Sequence, residues 1–228
     1  MKVAKEGLTF ILPFIGLGVL FLAFGAWFLF GACLILASIF CFFFRDPKRH
    51  APQDENSIIA PADGKVIKIQ HIESHPSFPS SVKIVSIFLS IFDVHITRSS
   101  IAGVVEGLEY NPGQFFHAYR DEAGMKNQSN SIFIQGDKTN LLIKQIVGFA
   151  ARRIKCFVKK NERVEKGQKL GLMYFGSRVD LFLGDDICLK IQLNQKVRAG
   201  ETKIGEVKNE NKQKARRNLF AAESPNSY

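Results

Sequence analysis

Charged residues are missing from a long stretch near the start of the chain. No Asp, Glu, Lys or Arg occurs between Gly7 and Phe44, and nearly all of these 38 positions are apolar. A signal-peptide core has roughly 7–15 residues and one transmembrane helix needs about 20, so the stretch is too long for either. It predicts a hydrophobic membrane anchor over residues 1–44, built as a hairpin of two short helices. One long tilted helix, or a buried hairpin of a soluble protein, is the alternative.

Glycines and flanking charges refine this prediction. Gly16, Gly18 and Gly25 are the candidates for the turn between the helices. Basic residues flank both ends of the apolar stretch: Lys2, Lys5, Arg45, Lys48 and Arg49. Because cytoplasmic flanks are rich in Lys and Arg, two basic flanks favour an even number of spans. We therefore expect attachment to the cell (inner or plasma) membrane, with the rest of the chain on its cytoplasmic face.

Cysteines are few and poorly placed for cross-linking. Cys33 and Cys41 lie in the apolar stretch, Cys156 and Cys188 are far apart, and there is no CxxC pair. We therefore predict no disulfide framework and no metal site.

Residues 45–228 contain 29 Lys and Arg against 20 Asp and Glu. Beside a membrane anchor, this basic excess indicates anionic lipid as the partner, and no nucleic acid.

A long amphipathic helix pattern is also absent after the anchor. Short stretches rich in Val, Ile and Phe alternate with Gly, Asn, Asp and Pro, which is typical of β-strands. This pattern predicts a mainly β domain over residues 45–207, followed by a polar tail over 208–228. The candidate strands are residues 65–70, 82–92, 103–110, 131–135, 140–148, 155–158, 169–174, 179–183 and 188–193.

Two segments of this domain resemble each other weakly. Residues 59–66 and 163–170 look like the two halves of the swapped hairpins in biotinyl- and lipoyl-type barrels. Their Asp-Gly and Lys-Gly turns suit a residue that tolerates a positive φ. The pair predicts a barrel-sandwich-like domain, but such folds host unrelated functions, so the pair indicates architecture alone.

Three polar residues far apart in sequence are candidates for a catalytic site. Ser177 follows Gly176 between two strand-like stretches, and the small glycine lets a serine hydroxyl approach the preceding carbonyl. His95 and Asp63 are suited to be a base and its orienting carboxylate. Equally, Gly-Ser and Asp-Gly are common turn pairs, and a lone His at a strand end is usually structural. Composition and spacing leave this choice open.

The chain resembles the phosphatidylserine decarboxylase proenzymes, specifically their short bacterial and archaeal-type branch. The resemblance covers nearly the whole chain except the tail, with the pieces in family order. Besides the apolar N-terminal segment, the matching pieces are residues 44–47, 59–66, 88–98, 107–115, 145–154, 175–180 and 197–202. One departure is Phe92, which stands where larger members of the superfamily have a second histidine.

The resemblance implies that the chain cuts itself between Gly176 and Ser177. His95, oriented by Asp63, would deprotonate Ser177, which becomes a covalent pyruvoyl cofactor at the start of the smaller chain. That group would form a Schiff base with phosphatidylserine and release carbon dioxide, giving phosphatidylethanolamine. The resemblance further implies that chains 1–176 and 177–228 stay together as a heterodimer, with a higher oligomer left open.

Two other classes of protein share some of these features. A membrane adaptor of an export system also has an N-terminal anchor and lipoyl-like halves, but it usually has a long helical hairpin between them. A biotin or lipoate carrier needs a lysine at a hairpin tip, for which Lys138 is the candidate, although no Met-Lys-Met sequence occurs.

Overall fold

The computed structural model describes residues 2–149 and 153–208. Its helices are α1 (Lys5–Ala23), α2 (Trp27–Phe43) and α3 (Ala123–Lys126). Its strands are β1 (Lys2–Val3), β2 (Arg45–Asp46), β3 (Ser57–Ile59), β4 (Gly64–Ile72), β5 (Val82–Leu89), β6 (Ile96–Arg98), β7 (Gly103–Asn111), β8 (Ser129–Gln135), β9 (Asn140–Val147), β10 (Ile154–Cys156), β11 (Arg163–Val164), β12 (Lys169–Met173), β13 (Ser177–Gly184), β14 (Ile187–Leu189), β15 (Lys196–Val197) and β16 (Lys203–Val207).

The apolar N-terminal stretch is a helical hairpin, as predicted, and the alternative of one long helix is wrong. Its turn lies at Gly25, whose φ of 70° suits a residue without a side chain. Near the other end, a Cβ on Gly7 would come within 2.6 Å of the Phe44 side chain, so glycine allows close packing there. Helix α1 is long and apolar enough to cross a membrane, and α2 is shorter.

The size and surface of the hairpin fit membrane association. The 19 residues of α1 extend about 28 Å, close to the roughly 30 Å of a bilayer's hydrocarbon core. Large apolar side chains point away from the protein along both helices, including Leu12 at 59% exposure and Phe28 at 86%. Such a surface is costly in water but favourable in lipid.

Backbone and side-chain contacts attach the hairpin to the β domain. Strand β1 pairs with β2, so the residues before α1 and after α2 lie side by side. Asp46 in β2 forms ion pairs with Arg98 and Lys169 of the β domain. Arg45 donates to the carbonyl oxygens of Phe42 at 2.9 Å and Phe92 at 2.6 Å. The hairpin is therefore held at several points rather than hung on a free linker.

The β domain is built around one curled, antiparallel sheet of eight strands. Their order is β11-β7-β8-β9-β13-β5-β4-β15. Two three-stranded sheets, β10-β12-β6 and β14-β16-β3, accompany it. Strand β13 is central: all its residues are buried, and it pairs with β5 on one side and β9 on the other. Alternating side chains of β13, namely Val179, Leu181 and Leu183, enter the main apolar core.

The prediction of a mainly β domain after a helical hairpin is confirmed. The glycines of both predicted turns, Gly64 and Gly167, have positive φ angles of 146° and 83°. The predicted strand 82–92 is too long, because β5 ends at Leu89. Beyond it, the Ser90 N–H and hydroxyl donate to the Asp93 carboxylate, which bends the chain.

Other differences concern short elements. Strands β3, β6, β11, β15 and β16 were not predicted, because two to five residues carry too little periodicity to be recognised. Residues 209–228 of the predicted tail lie outside the described residues. The division into an anchor (1–44), a catalytic domain (45–207) and a tail (208–228) stays a prediction.

Lys138, the candidate lysine of the carrier alternative, lies between β8 and β9. Its amine donates to Glu55 at 3.0 Å and to Asn56 at 2.9 Å, a partly exposed surface contact. Between residues 67 and 158, the described part of the chain contains only the four-residue helix α3. A long helical hairpin of the adaptor type is therefore not found in that part.

Candidate active site

The predicted cleavage point lies in a left-handed turn between β12 and β13. Phe175 has a φ of 41° and Gly176 a φ of 58°, and Ser177 then begins β13. Glycine adopts this conformation without penalty, whereas a side chain such as that of Phe175 holds it at a cost of about 1–3 kcal/mol. Backbone strain is thus located directly before the Gly176–Ser177 peptide bond.

Ser177 has an unusual hydroxyl. The residue is fully buried, and its Oγ has no hydrogen-bond partner among the described residues. Leaving a buried hydroxyl unpaired costs about 1–3 kcal/mol, so such a group calls for an explanation. Backbone pairing with Leu89 of β5 and Val147 of β9 fixes the position of the serine. An unpaired, fixed hydroxyl beside a strained peptide bond is suited to attack that bond.

The carbonyl of Gly176 lies against a second glycine. A Cβ on Gly148 would overlap the carbonyl oxygen of Gly176. Only a residue without a side chain leaves room for this oxygen. Gly148 follows β9 directly, and β9 is the strand paired with β13.

His95 is buried beside the same peptide. Its Nδ1 lies 2.9 Å from the carbonyl oxygen of Asp93 and donates to it, so Nε2 carries the lone pair. That nitrogen accepts the Gly176 N–H at 3.2 Å. Burial lowers the pKa of His95 to about 4, which keeps the imidazole neutral near pH 7. The structure therefore brings His95 to Gly176, although none of the described hydrogen bonds joins it to the Ser177 hydroxyl.

Asp63 has different partners from those predicted. Its carboxylate pairs with Arg49 at 2.6 Å and accepts the Ala199 N–H at 2.7 Å. Burial raises the pKa of Asp63, which these two partners oppose. The hydrogen bonds described for Asp63 and His95 do not link the two residues. The orienting role predicted for Asp63 therefore stays a prediction.

Several residues near the site were not found by sequence reasoning. Asp93 supplies the carbonyl that orients His95, and backbone atoms carry no side-chain signal. The Asn127 side chain bonds the backbone of Phe116 and, at 2.7 Å, the carbonyl of Val147, the residue paired with Ser177. Gly148 lies in a segment matched by resemblance, but its role depends on contact with a distant turn.

An apolar groove of about 550 Å³ lies beside the cleavage turn. One wall is formed by α2, and Ile91, Phe92 and Phe175 form the other. Phe92 is 69% exposed and lines this groove. The groove thus runs from the hairpin to the residue before Gly176.

Comparison with known proteins supports one family. The sequence model of the phosphatidylserine decarboxylase family matches residues 36–205. A phosphatidylserine decarboxylase proenzyme of Magnetococcus marinus is 37% identical, covering 90% of this chain and 95% of that protein. Proenzymes of the same name from Syntrophus aciditrophicus, 38% identical over 89% and 96%, and Carboxydothermus hydrogenoformans, 43% identical over 73% and 79%, are also similar. The chain therefore belongs to the phosphatidylserine decarboxylase family.

Proposed function

We propose that the chain decarboxylates phosphatidylserine to phosphatidylethanolamine with a pyruvoyl group that it makes by cutting itself between Gly176 and Ser177. The decarboxylase activity follows from family membership. The observation that carries the rest is the buried, unpaired Ser177 hydroxyl at a strained turn, with His95 at the adjoining peptide. These features are otherwise costly, and the proposed reaction gives a reason for them.

The first stage is an acyl shift followed by elimination. The hydroxyl proton of Ser177 passes to Nε2 of His95 and Oγ bonds to the Gly176 carbonyl carbon. The Gly176–Ser177 C–N bond then breaks and its nitrogen takes a proton, which leaves an ester. Loss of the Ser177 Hα and of the Gly176 carboxylate gives dehydroalanine. Water replaces its nitrogen as ammonia, and the ketone of the pyruvoyl group remains.

His95 suits the role of base because it is neutral and bears its lone pair on Nε2. To receive the serine proton, Nε2 must exchange its hydrogen bond from the Gly176 N–H for one from Oγ. Gly148 leaves space for the oxygen that gains negative charge.

A pyruvoyl group fits the position of Ser177. The hydroxyl has no hydrogen bond among the described residues to lose, and paired strands bury the residue on both sides. The group supplies a sink for the electron pair that remains on an amino acid when carbon dioxide leaves. Once the chain is cut, the new carboxylate of Gly176 lies near His95 and favours its protonated form. This change would let His95 return a proton during turnover.

The two chains would stay together after the cut. Residues 177–208 supply β13 in the centre of the large sheet, with β5 and β9 from the other chain on its two sides. Arg178, beside the new terminus, donates to the Ser86 hydroxyl of the other chain at 3.0 Å. The Ala199 N–H also reaches Asp63 across the two chains.

The hairpin would keep the site at the membrane surface, where the substrate lies. We place the catalytic domain on the cytoplasmic face of an anionic cell membrane, because basic residues flank both ends of the hairpin. The groove beside α2 would give the lipid an apolar path toward the cleavage turn. Holding enzyme and lipid in one layer raises their effective concentration.

Self-cleavage is tested first by the intact mass of the purified protein. We expect two chains, 1–176 and 177–228, with the smaller one lighter by one ammonia than the same chain starting with serine. Ser177→Ala should remain one chain without decarboxylase activity. Ser100→Ala is the matched control, because the Ser100 hydroxyl is also buried without a partner. A wild-type chain that stays intact in membranes would contradict the proposal.

The space beside the carbonyl is tested with glycine variants. We expect Gly148→Ala to slow self-cleavage by about 100-fold or more, because an added methyl group overlaps the Gly176 oxygen and shifts the reacting atoms. Gly107→Ala is the control, since its Cβ would make only an ordinary contact of 3.7 Å with Phe133. Equal cleavage rates in a time course would count against the role of Gly148.

The pH dependence of self-cleavage tests the state of His95. A base must be neutral, and burial lowers the pKa of His95 to about 4. We therefore expect an unchanged cleavage rate between about pH 7.5 and about pH 5.5, with a fall as the pH approaches 4. A fall centred near pH 6.5, the ordinary imidazole value, would show that the reacting histidine is not the buried one.

Asp63→Asn separates the two roles of that carboxylate. Asparagine can still accept the Ala199 N–H, but Arg49 loses its 2.6 Å ion pair. Because Arg49 keeps its 3.1 Å ion pair with Glu201, we expect the free energy of unfolding, measured in the uncleaved Ser177→Ala chain, to fall by about 2 kcal/mol. The exposed Asp137→Asn change should have little effect. Slow self-cleavage of Asp63→Asn without loss of stability would instead support the orienting role toward His95.

A further inference from the structure

We propose that Phe43, the last residue of α2, is a positioning residue for self-cleavage, because its ring holds His95 and Phe175 at the peptide bond that is cut. The inference rests on the proposed function, in which His95 acts as the base. It assigns the membrane hairpin a direct part in maturation: the end of α2 completes the catalytic site as well as anchoring the protein.

The Phe43 ring touches both residues that flank the reaction. Its centroid lies 4.4 Å from that of the His95 imidazole, tilted by 35°, and 4.3 Å from that of the Phe175 ring, stacked at 28°. Phe43 is 5% exposed and His95 1% exposed, so the contact is buried. One side chain of the hairpin therefore lies against the base and against the residue before the cleavage glycine.

The imidazole needs this contact to stay in one orientation. Hydrogen bonds at Nδ1 and Nε2, to Asp93 and Gly176, hold two points of the ring. A ring bonded only at its edge can still tilt by small rotations about its Cβ–Cγ bond. A ring packed on the imidazole face opposes that tilt and keeps the Nε2 lone pair directed at the turn. Proton transfer depends on such alignment.

Phe175 needs the contact for a different reason. Its φ of 41° is unfavourable for a residue with a side chain and persists only when the surroundings enforce it. Besides Phe43, the α2 ring of Phe40 and the following Phe44 contact Phe175 edge-on, with centroids at 6.4 and 6.5 Å. The end of α2 thus holds the side chain whose backbone carries the strain next to Gly176.

The end of α2 is itself well fixed. The Ala4 N–H donates to the Phe44 carbonyl at 2.8 Å, and Arg45 joins the carbonyls of Phe42 and Phe92. Phe43 therefore has a defined position relative to the loop that leads to His95. It also lines the apolar groove, so its ring separates the imidazole from that opening.

The charged and titratable groups around His95 are few. Asp93, in the preceding turn, favours the protonated ring, and Arg45, after α2, opposes it. Tyr174, after β12, lies in the same apolar cluster as Phe43. None of these groups is changed when Phe43 is replaced. A shift in the pH dependence of self-cleavage would therefore report that the His95 imidazole has become exposed to solvent.

The test measures self-cleavage of the full chain made by cell-free synthesis into phosphatidylcholine vesicles. All three methionines precede residue 177, so a methionine label follows the conversion of chain 1–228 into chain 1–176. The variants are Phe43→Ala, Phe43→Trp as the conservative replacement, and Phe28→Ala as the matched control. Phe28 lies near the other end of the same helix, about 22 Å from Phe43 along its axis, and is 86% exposed.

We expect Phe43→Ala to cleave at least about tenfold more slowly near neutral pH, because the base loses its alignment. The acid limb of its pH profile is the low-pH range over which the cleavage rate falls. We expect this limb to move from a pH of about 4 toward the ordinary histidine value of about 6.5, because water reaches the ring. Phe43→Trp should stay within about threefold of the wild-type rate, since a larger aromatic ring can still stack. Phe28→Ala should match the wild type in rate and pH dependence.

A folding defect is separated by melting the uncleavable Ser177→Ala chain with and without Phe43→Ala. The inference stands if Phe43→Ala keeps a cooperative transition, cleaves slowly and shows the raised acid limb. It is overturned if Phe43→Ala cleaves at the wild-type rate and pH dependence, or if its slow cleavage comes with a lost transition and no shift of the acid limb. A wild-type chain that never cleaves would overturn the proposed function, and this inference with it.

Discussion

The pairing of β13 with strands on both of its sides is the constraint on which the site depends. Ser177 is the first residue of that strand, and pairing with Leu89 and Val147 fixes its backbone. The turn before it has to join β12 to this fixed strand, which forces Phe175 and Gly176 into left-handed conformations. The strained turn and the Ser177 hydroxyl are therefore next to the same peptide bond, because the sheet fixes the residue that follows this bond.

The same pairing would keep the two proposed cleavage products together. Backbone hydrogen bonds to β5 and β9, and the hydrogen bond from Arg178 to Ser86, do not depend on the Gly176–Ser177 bond. On the other side of the proposed cut, two hydrogen bonds keep Gly176 next to His95. The Gly176 N–H donates to the imidazole, and the Met173 N–H of β12 donates to the His95 carbonyl at 3.0 Å. The apolar hairpin belongs to this side, so the hairpin and His95 would remain together.

Much of this architecture could be predicted from local sequence. The apolar hairpin follows from its 38 uncharged positions, and the longer strands follow from their alternating pattern. Ser177, Gly176 and His95 follow from resemblance, and the structure brings His95 to Gly176. The partners of Asp63 could not be predicted, because Arg49 and Ala199 lie in other parts of the chain and any buried carboxylate can pair with whichever donor the fold presents. Gly148 and Phe43 were missed because steric room and ring stacking are properties of two segments in contact.

By itself, then, the sequence determined the membrane-seeking hairpin, the β character of the rest and the family, since these depend on hydrophobic periodicity and on short motifs read along the chain. Only the tertiary structure decided which groups surround the Gly176 peptide and His95: a backbone carbonyl for the His95 Nδ1, an aromatic ring from the hairpin on the imidazole face, and a glycine beside the Gly176 carbonyl. The physical reason is that burial, alignment and pKa depend on neighbours brought together from distant positions, which no local pattern encodes.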